Sequence, residues 1–285
     1  MTTRADDSER VDRTLEIIAR PGAMLEGFGS QLSFYARALA WAPRTLRRYG
    51  RETARLLTEV SFGTGALAVI GGTLGVMIGM TLFTGLVVGL QGYSALNQLG
   101  TAALTGFISA YFNTREVAPL SAGLALSATV GCGFTAQLGA MRISEEIDAL
   151  EVMGVPSLPY LVTTRVLAGV AAVIPLYAVG LLSSYLASRQ ITIWVYGQSA
   201  GTYDHYFNLF LPPEDVLWSF GKVIIFSVLV VLSHCYYGYT ARGGPAGVGI
   251  AVGRAVRTSI VLIAVLDFFL SLAIWGATTT VRISG

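Results

Sequence analysis

The chain has 285 residues, 53% of them hydrophobic and only 13% charged, with a formal net charge of +2 and a mean hydropathy of +0.62. A soluble domain carries about 25% charged residues to cover its water-facing surface, so a chain this poor in them presents much of its area to lipid. The small net charge and unclustered basic residues exclude a nucleic-acid stripe, and Cys132 and Cys235 lie in apolar runs without metal-ligand neighbours.

In chain order, residues 1–10 are polar and are expected to be disordered. The first 30 residues are rich in charge and lack the apolar core of a secretory signal, so insertion is expected to use an internal segment. Residues 11–57 form an amphipathic helical region, with Leu15, Ile18, Leu25, Phe28, Leu32, Tyr35 and Leu39 at three- and four-residue steps and breaks at Pro21 and Pro43. Arg37, Arg44, Arg47, Arg48, Arg51 and Arg55, interleaved with Trp41 and Tyr49, suit a membrane interface. A helical hairpin packed on another subunit fits the same pattern.

Residues 58–285 form the transmembrane part of the chain. Residues 60–114 carry no charge, more than the about 20 residues one span needs. The expected spans are 62–90, 117–141, 166–188, 216–238 and 258–280, which makes the fold all-α, polytopic, with five transmembrane helices. The polar patch Gln91 to Gln98 marks an interface, and 99–113 forms a partial helix leading into the second span. Residues 189–215, rich in Tyr and Phe, read as an interfacial loop or short helix, and 241–249 as a glycine-rich turn. Many glycines in the spans let helix backbones approach closely where lipid offers no hydrophobic drive for association.

Arginine bias sets the orientation. With the N-terminus inside, the inner segments hold Arg44 to Arg55, Arg142, Arg165, Arg242, Arg254 and Arg257, against Arg115, Arg189, Lys222 and Arg282 outside. That places the C-terminus outside.

The segment RISEEIDALEVMG at 142–154 predicts a short amphipathic helix over 143–153. Ile143, Ile147, Leu150 and Met153 form one face, and Glu145, Glu146, Asp148 and Glu151 an acidic surface on the side where positive charge normally dominates. Docking onto arginines of a cytosolic partner explains such acidity; a solvated loop helix is the alternative. Arg115-Glu116 precedes Pro119, which can kink a helix. Asp267 is a lone acid in the fifth span, either a hydrogen-bond acceptor between helices or a lining of a translocation path. His234 and His205 read as satisfied polar residues. No nucleophile–base pair, Walker-type loop or HExxH motif occurs, so no catalytic residue, metal ligand or ATP site is assigned to this chain.

These residues carry a resemblance. REVAPL at 115–120, TAQLGAMRISEEIDALEVMGV at 135–155 and GGPAGVG at 243–249 resemble the MlaE/YrbE permease family, the transmembrane subunits of lipid-moving ABC transporters. YGQSAGTYDHYF at 196–207 and SHCYYGYTARGGPAGVGIAVGRAVRTS at 233–259 are similar to the B-type YrbE permeases of actinobacterial Mce systems. The likeness is collinear over roughly residues 50–280. It implies an N-terminal interfacial helix, five transmembrane helices and a cytoplasmic coupling helix seated in a groove of the ATPase. On this chain that role falls to Glu145, Glu146, Asp148, Ala149 and Leu150. Gln137 departs from the Glu of many relatives, which is expected to weaken one polar contact.

The resemblance further implies a plasma-membrane location, a heterodimer with a homologous A-type permease, a cytosolic ATPase dimer that binds ATP and Mg, and a hexameric MCE tube above the pair. Arg115 would attract an anionic lipid head or carboxylate with Glu116 orienting it, or the two would form an interfacial ion pair that ends a helix; Arg115, Glu116 and Asp267 are the candidate cavity residues. The expected function is the permease subunit of an importer of fatty acids, mycolic acids or sterols. A secondary transporter would need coupling-ion ligands in repeated halves, a membrane enzyme a catalytic cluster at one face; a scaffold subunit without transport is the remaining alternative.

Overall fold

A computed structural model of the chain describes residues 27–62 and 72–276, and among them every regular element is helical. Ten helices follow in order: α1 (27–40), α2 (Ala42–Arg48), α3 (Gly50–Phe62), α4 (Thr73–Gln98), α5 (Ala102–Ile143), α6 (Glu146–Val152), α7 (Leu158–Trp194), α8 (Ala200–Leu209), α9 (Pro213–Tyr239) and α10 (Gly244–Trp275). Helices α4, α5, α7, α9 and α10 are each long and apolar enough to cross a membrane, as expected from five charge-poor runs. The 42 residues of α5 exceed the about 20 that a span requires, so this helix projects beyond the hydrocarbon.

Burial orders the bundle. The apolar window of α5 is 61% buried and that of α10 only 17%, so α5 is the axis and α10 a peripheral helix. Small residues allow the close approaches. Gly85 and Gly89 of α4 lie directly on Ser184 and Ser188 of α7, and a Cβ on Gly238 of α9 would stand 2.8 Å from the Thr135 carbonyl oxygen of α5. Where lipid is as apolar as any side chain, such contacts supply the association energy. Three stretches of wide π-helical turn, Ser109–Val117, Ser127–Gly131 and Leu158–Thr163, interrupt α5 and open α7.

One end of the bundle carries α8 and the other carries α1–α3 and α6. At the first, Arg189 of α7 grips Asp204 of α8 at 2.7 and 2.8 Å, and this pairing holds the Asp204 carboxyl below its usual range. At the second, Phe34 of α1 packs edge-on to Tyr236 and tilted on Tyr239, with ring centroids 5.4 and 5.6 Å away. Thr163 Oγ1 donates to the Ala38 carbonyl at 2.9 Å.

The boundaries depart from the hydropathy reading in instructive ways. Residues 1–26, 63–71 and 277–285 lie outside the described residues, and with them Pro21, the 1–10 segment, residues 63–71 of the expected first span and the expected end of the fifth. Helix α3 runs through the expected 57/58 boundary without a break. The first described span starts at Thr73, and the patch Gln91–Gln98 completes it instead of leaving it. Its polar groups are met by another helix end, for Tyr93 stacks on Tyr196 at 4.0 Å and Ser94 shares a hydrogen bond with the Tyr196 hydroxyl at 3.0 Å.

The stretch 102–113 joins the second span without a break, so Arg115 and Glu116 lie inside a helix. The fifth span begins at Gly244, not 258: the turn is made by Gly243 and Gly244, at φ 89° and 69°, and Pro245 stands in the first turn where its missing N–H costs nothing. In α1 the buried face is Phe34 and Ala38, whereas Phe28, Leu32 and Leu39 are exposed. Pro43 does start a new helix. Arg165 and Lys222, counted as loop charges for the orientation, are buried within α7 and α9.

Candidate functional site

At the α8 end, three spanning helices bring five charged side chains into one layer. Asp215 stands in the first turn of α9 and Lys222 seven residues on, two turns later on the same face. Arg115 grips a single oxygen of Asp215, Oδ2: Nε donates to it at 2.8 Å and Nη2 lies 2.7 Å from it, charge-assisted contacts converging on one acceptor. Its plane lies over Tyr111 at 4.1 Å and Trp275 at 5.0 Å. Trp275 Nε1 donates to the other oxygen of Asp215 at 2.8 Å.

Behind this pair, Lys222 is fully buried. Its Nζ donates to the Arg115 carbonyl at 2.7 Å and to Ser271 Oγ at 2.8 Å, and meets Asp267 Oδ1 at 2.6 Å. Ser271 Oγ in turn donates to Glu116 Oε1 at 2.7 Å. The local cause is Pro119, which has no N–H to offer the Arg115 carbonyl four residues earlier. The lysine ammonium supplies a donor there instead. Lipid cannot satisfy such groups, so charges at this depth turn inward and pair.

Arg115, Glu116 and Asp267 are therefore brought together, as the sequence suggested, but not as a free cation with an orienting acid. Arg115 is engaged by Asp215, and Glu116 and Asp267 both face Lys222. Arg115 also does not end a helix. Asp215, Lys222 and Trp275 escaped the sequence reading; the seven-residue spacing of Asp215 and Lys222, and the four-residue steps of Asp267, Ser271 and Trp275, were the available signal. Two clefts flank the layer. One of about 590 Å³ is lined by Phe107, Tyr111, Arg115, Asp215, Trp218 and Trp275, the other of about 220 Å³ by Arg115, Glu116, Phe268 and Ser271.

At the opposite end, α6 hangs between α5 and α7. It is shorter than the expected 143–153: α5 runs to Ile143, and Glu145 at φ 61° turns the chain into a new helix. Ile143 and Met153 consequently do not share its buried face; they are 38% and 68% exposed, while Ile147 is fully buried and anchors the helix. Leu150 packs against the core edge. Glu145, Glu146, Asp148 and Ala149 point to solvent. Arg142 donates to Asp148 at 2.7 Å, Ser144 to Glu146 at 2.9 Å, and Ser157 to Glu151 at 2.5 Å. The product is a rigid, acidic, exposed knob.

Gln137 makes more contacts than its departure from Glu suggested. Its amide donates to Glu59 of α3 at 2.9 Å and accepts from the buried Arg165 at 3.2 Å. His234 is held by Ser127 at 3.1 Å and Thr135 at 2.8 Å, a satisfied polar residue. His205 is exposed at the α8 end. Cys235 is buried and Cys132 half-buried, both as free thiols. Among the described residues no group of three His, Cys, Asp or Glu is placed to hold a metal ion.

Residues 62–273 match the protein family described as Permease MlaE. The chain is 28% identical over 191 residues to a Rickettsia bellii protein named Probable ABC transporter permease protein, spanning 67% of this chain and 74% of that one. It is 32% identical over 203 residues to protein TRIGALACTOSYLDIACYLGLYCEROL 1, chloroplastic, of Arabidopsis thaliana, spanning 70% and 57%. With the Intermembrane phospholipid transport system permease protein MlaE of Haemophilus influenzae it shares 28% identity over 200 residues, spanning 69% and 76%.

Proposed function

Because the chain belongs to the MlaE permease family, we propose that it is the transmembrane subunit of an Mce-type ABC importer that takes lipid or a similar hydrophobic substrate through the plasma membrane. The carrying observation is the knob at α6: an acidic helix of seven residues, anchored by the buried Ile147 and the part-buried Leu150 and exposed along its acidic face, on a bundle with no nucleotide-binding motif of its own. Such a knob receives work from a neighbour. The neighbour is a cytosolic ATPase dimer carrying ATP and Mg; its closure would draw the knobs of two permeases together. The second permease is a homologous A-type chain, and a hexameric MCE tube delivers the substrate. This reading puts α6 and the N-terminus in the cytosol and the C-terminus in the periplasm, with α1–α3 at the inner interface, and it places the B-type identity on the tract YGQSAGTYDHYF.

The phospholipid named for the Haemophilus relative supports a lipid as cargo; fatty acids, mycolic acids and sterols are the classes that suit an Mce system. The aromatic cleft beside Arg115 is where we seat the lipid head. Because Asp215 already grips the guanidinium, an anionic head binds there by exchange with that carboxylate, with Glu116 and Asp267 holding Lys222 behind it.

The test is co-purification of the ATPase with the full chain. Glu145→Arg together with Glu146→Arg is expected to abolish association while the permease keeps its elution position. Undiminished recovery of the ATPase with that variant would overturn the assignment of the knob. Mass spectrometry of the lipid retained by the intact assembly tests the cargo.

A further inference from the structure

The charged layer does not balance. Arg115 and Lys222 carry two positive charges; Glu116, Asp215 and Asp267 carry three negative ones when ionised. Asp215 and Arg115 satisfy each other, with side chains 11% and 14% exposed. That leaves one ammonium against two carboxyl groups, with Asp267 at 2.6 Å and Glu116 at 3.6 Å. An uncompensated charge in an apolar interior is removed by taking up or releasing a proton.

The hydrogen bonds say where that proton can be. An ammonium only donates, so Lys222 fixes Ser271 as acceptor from it and as donor to Glu116 Oε1. That oxygen of Glu116 therefore accepts. Asp267 Oδ1 lies 2.6 Å from Lys222 Nζ and is buried without another partner. Lys222 Nζ thus gathers the Asp267 and Glu116 carboxyl groups around one centre, 2.6 and 3.6 Å from it, an arrangement in which two carboxylates repel and an acid–carboxylate pair does not. The other groups facing the triad are Tyr111 and Arg115 of α5, Asp215 of α9 and Trp275 of α10; Tyr185 of α7 lies near Asp215. Arg115 is already paired with Asp215, and none of the others carries a positive charge.

We propose that Glu116 and Asp267 share a single proton, held between α5 and α10 against the sealed ammonium of Lys222. This proton site makes the layer neutral and ties α10, the least buried spanning helix, to the axis of the bundle. Glu116, one-third exposed and lining the 220 Å³ cleft, is the route by which the proton exchanges with water. Lys222 has no such route. Loss of the proton leaves two carboxylates facing each other and loosens α10. The site stands on these residues alone and does not depend on what the permease carries.

Infrared spectroscopy of the full chain reconstituted in lipid tests the proposal. At neutral pH a protonated-carboxyl C=O band is expected in the unaltered chain. It disappears in Glu116→Gln and equally in Asp267→Asn, because each variant leaves one carboxylate to pair with one ammonium. Both variants keep the thermal stability of the parent, whereas Glu116→Gln combined with Asp267→Asn strands Lys222 and lowers it. Absence of the band from the parent, or its survival in either single variant, overturns the proposal, whatever the folding yields.

Discussion

Consider removal of one partner from the Arg115–Asp215 pair. Asp215→Asn keeps an oxygen to accept from Trp275 Nε1 and removes only the charge, while Arg115→Gln keeps an amide donor and removes the other charge. Both side chains are less than one-sixth exposed, so solvent screens the pair weakly. Two unit charges about 4 Å apart at an effective dielectric constant of about 20 attract by about 4 kcal/mol. Stranding one buried partner costs about 3–5 kcal/mol. Each single variant should therefore lose about 3 kcal/mol, and the double variant, with no charge left unpaired, about 1–2 kcal/mol. Reversible unfolding in mixed micelles, followed by Trp275 and its neighbouring tryptophans, gives the three values. A double loss equal to the sum of the singles within about 0.5 kcal/mol would refute the view that Asp215 neutralises Arg115.

Further expectations concern the rest of the bundle. A side chain at Gly238 collides with the Thr135 carbonyl, whereas a Cβ at Gly221 on the same helix meets nothing within 4 Å. Gly238→Val should lose about 3 kcal/mol or fail to fold, and Gly221→Ala should gain up to about 1 kcal/mol, both read as folded yield and melting temperature. Glu145 adopts φ 61°, where a β-branched residue is strained by about 1–2 kcal/mol; Glu145→Val should lower the melting temperature and Glu145→Gly should not. The Asp204 carboxyl, held low by Arg189, has a folded value below its ordinary 3.8. Its contribution is thus complete above about pH 4 and is lost as pH falls through the lowered value. Melting temperatures recorded below pH 4 should drop less in Asp204→Asn than in the parent; an identical drop would show that the pair contributes nothing.

Five spans were legible because five runs are too apolar and too poor in charge to meet water. The acidic knob was legible because Glu145, Glu146 and Asp148 interrupt that pattern abruptly. What escaped has physical reasons. Lys222 sits in a run so apolar that one ammonium barely moves its average, and it looked like a loop charge; its partners lie on other helices, about 50 and 100 residues away along the chain. Phe28 and Leu32 were grouped with Tyr35 on one face, yet Phe34 is the residue the bundle covers. In a membrane both lipid and protein accept an apolar surface, so hydrophobic spacing alone cannot say which of them a residue meets. The glycines after Ala241 suggested a long turn, and two left-handed residues, Gly243 and Gly244, were enough.

Pro119 and Lys222 make a partnership that constrains how such a chain can drift. The imino ring withholds a donor from the Arg115 carbonyl, and an amine from a different helix lends one at 2.7 Å. Lineages that exchange the lysine for an apolar residue inherit a polar atom short of a donor among hydrocarbon, unless the ring is replaced first by a residue with an amide hydrogen. The order of substitution, and not only its content, is then dictated by one missing hydrogen.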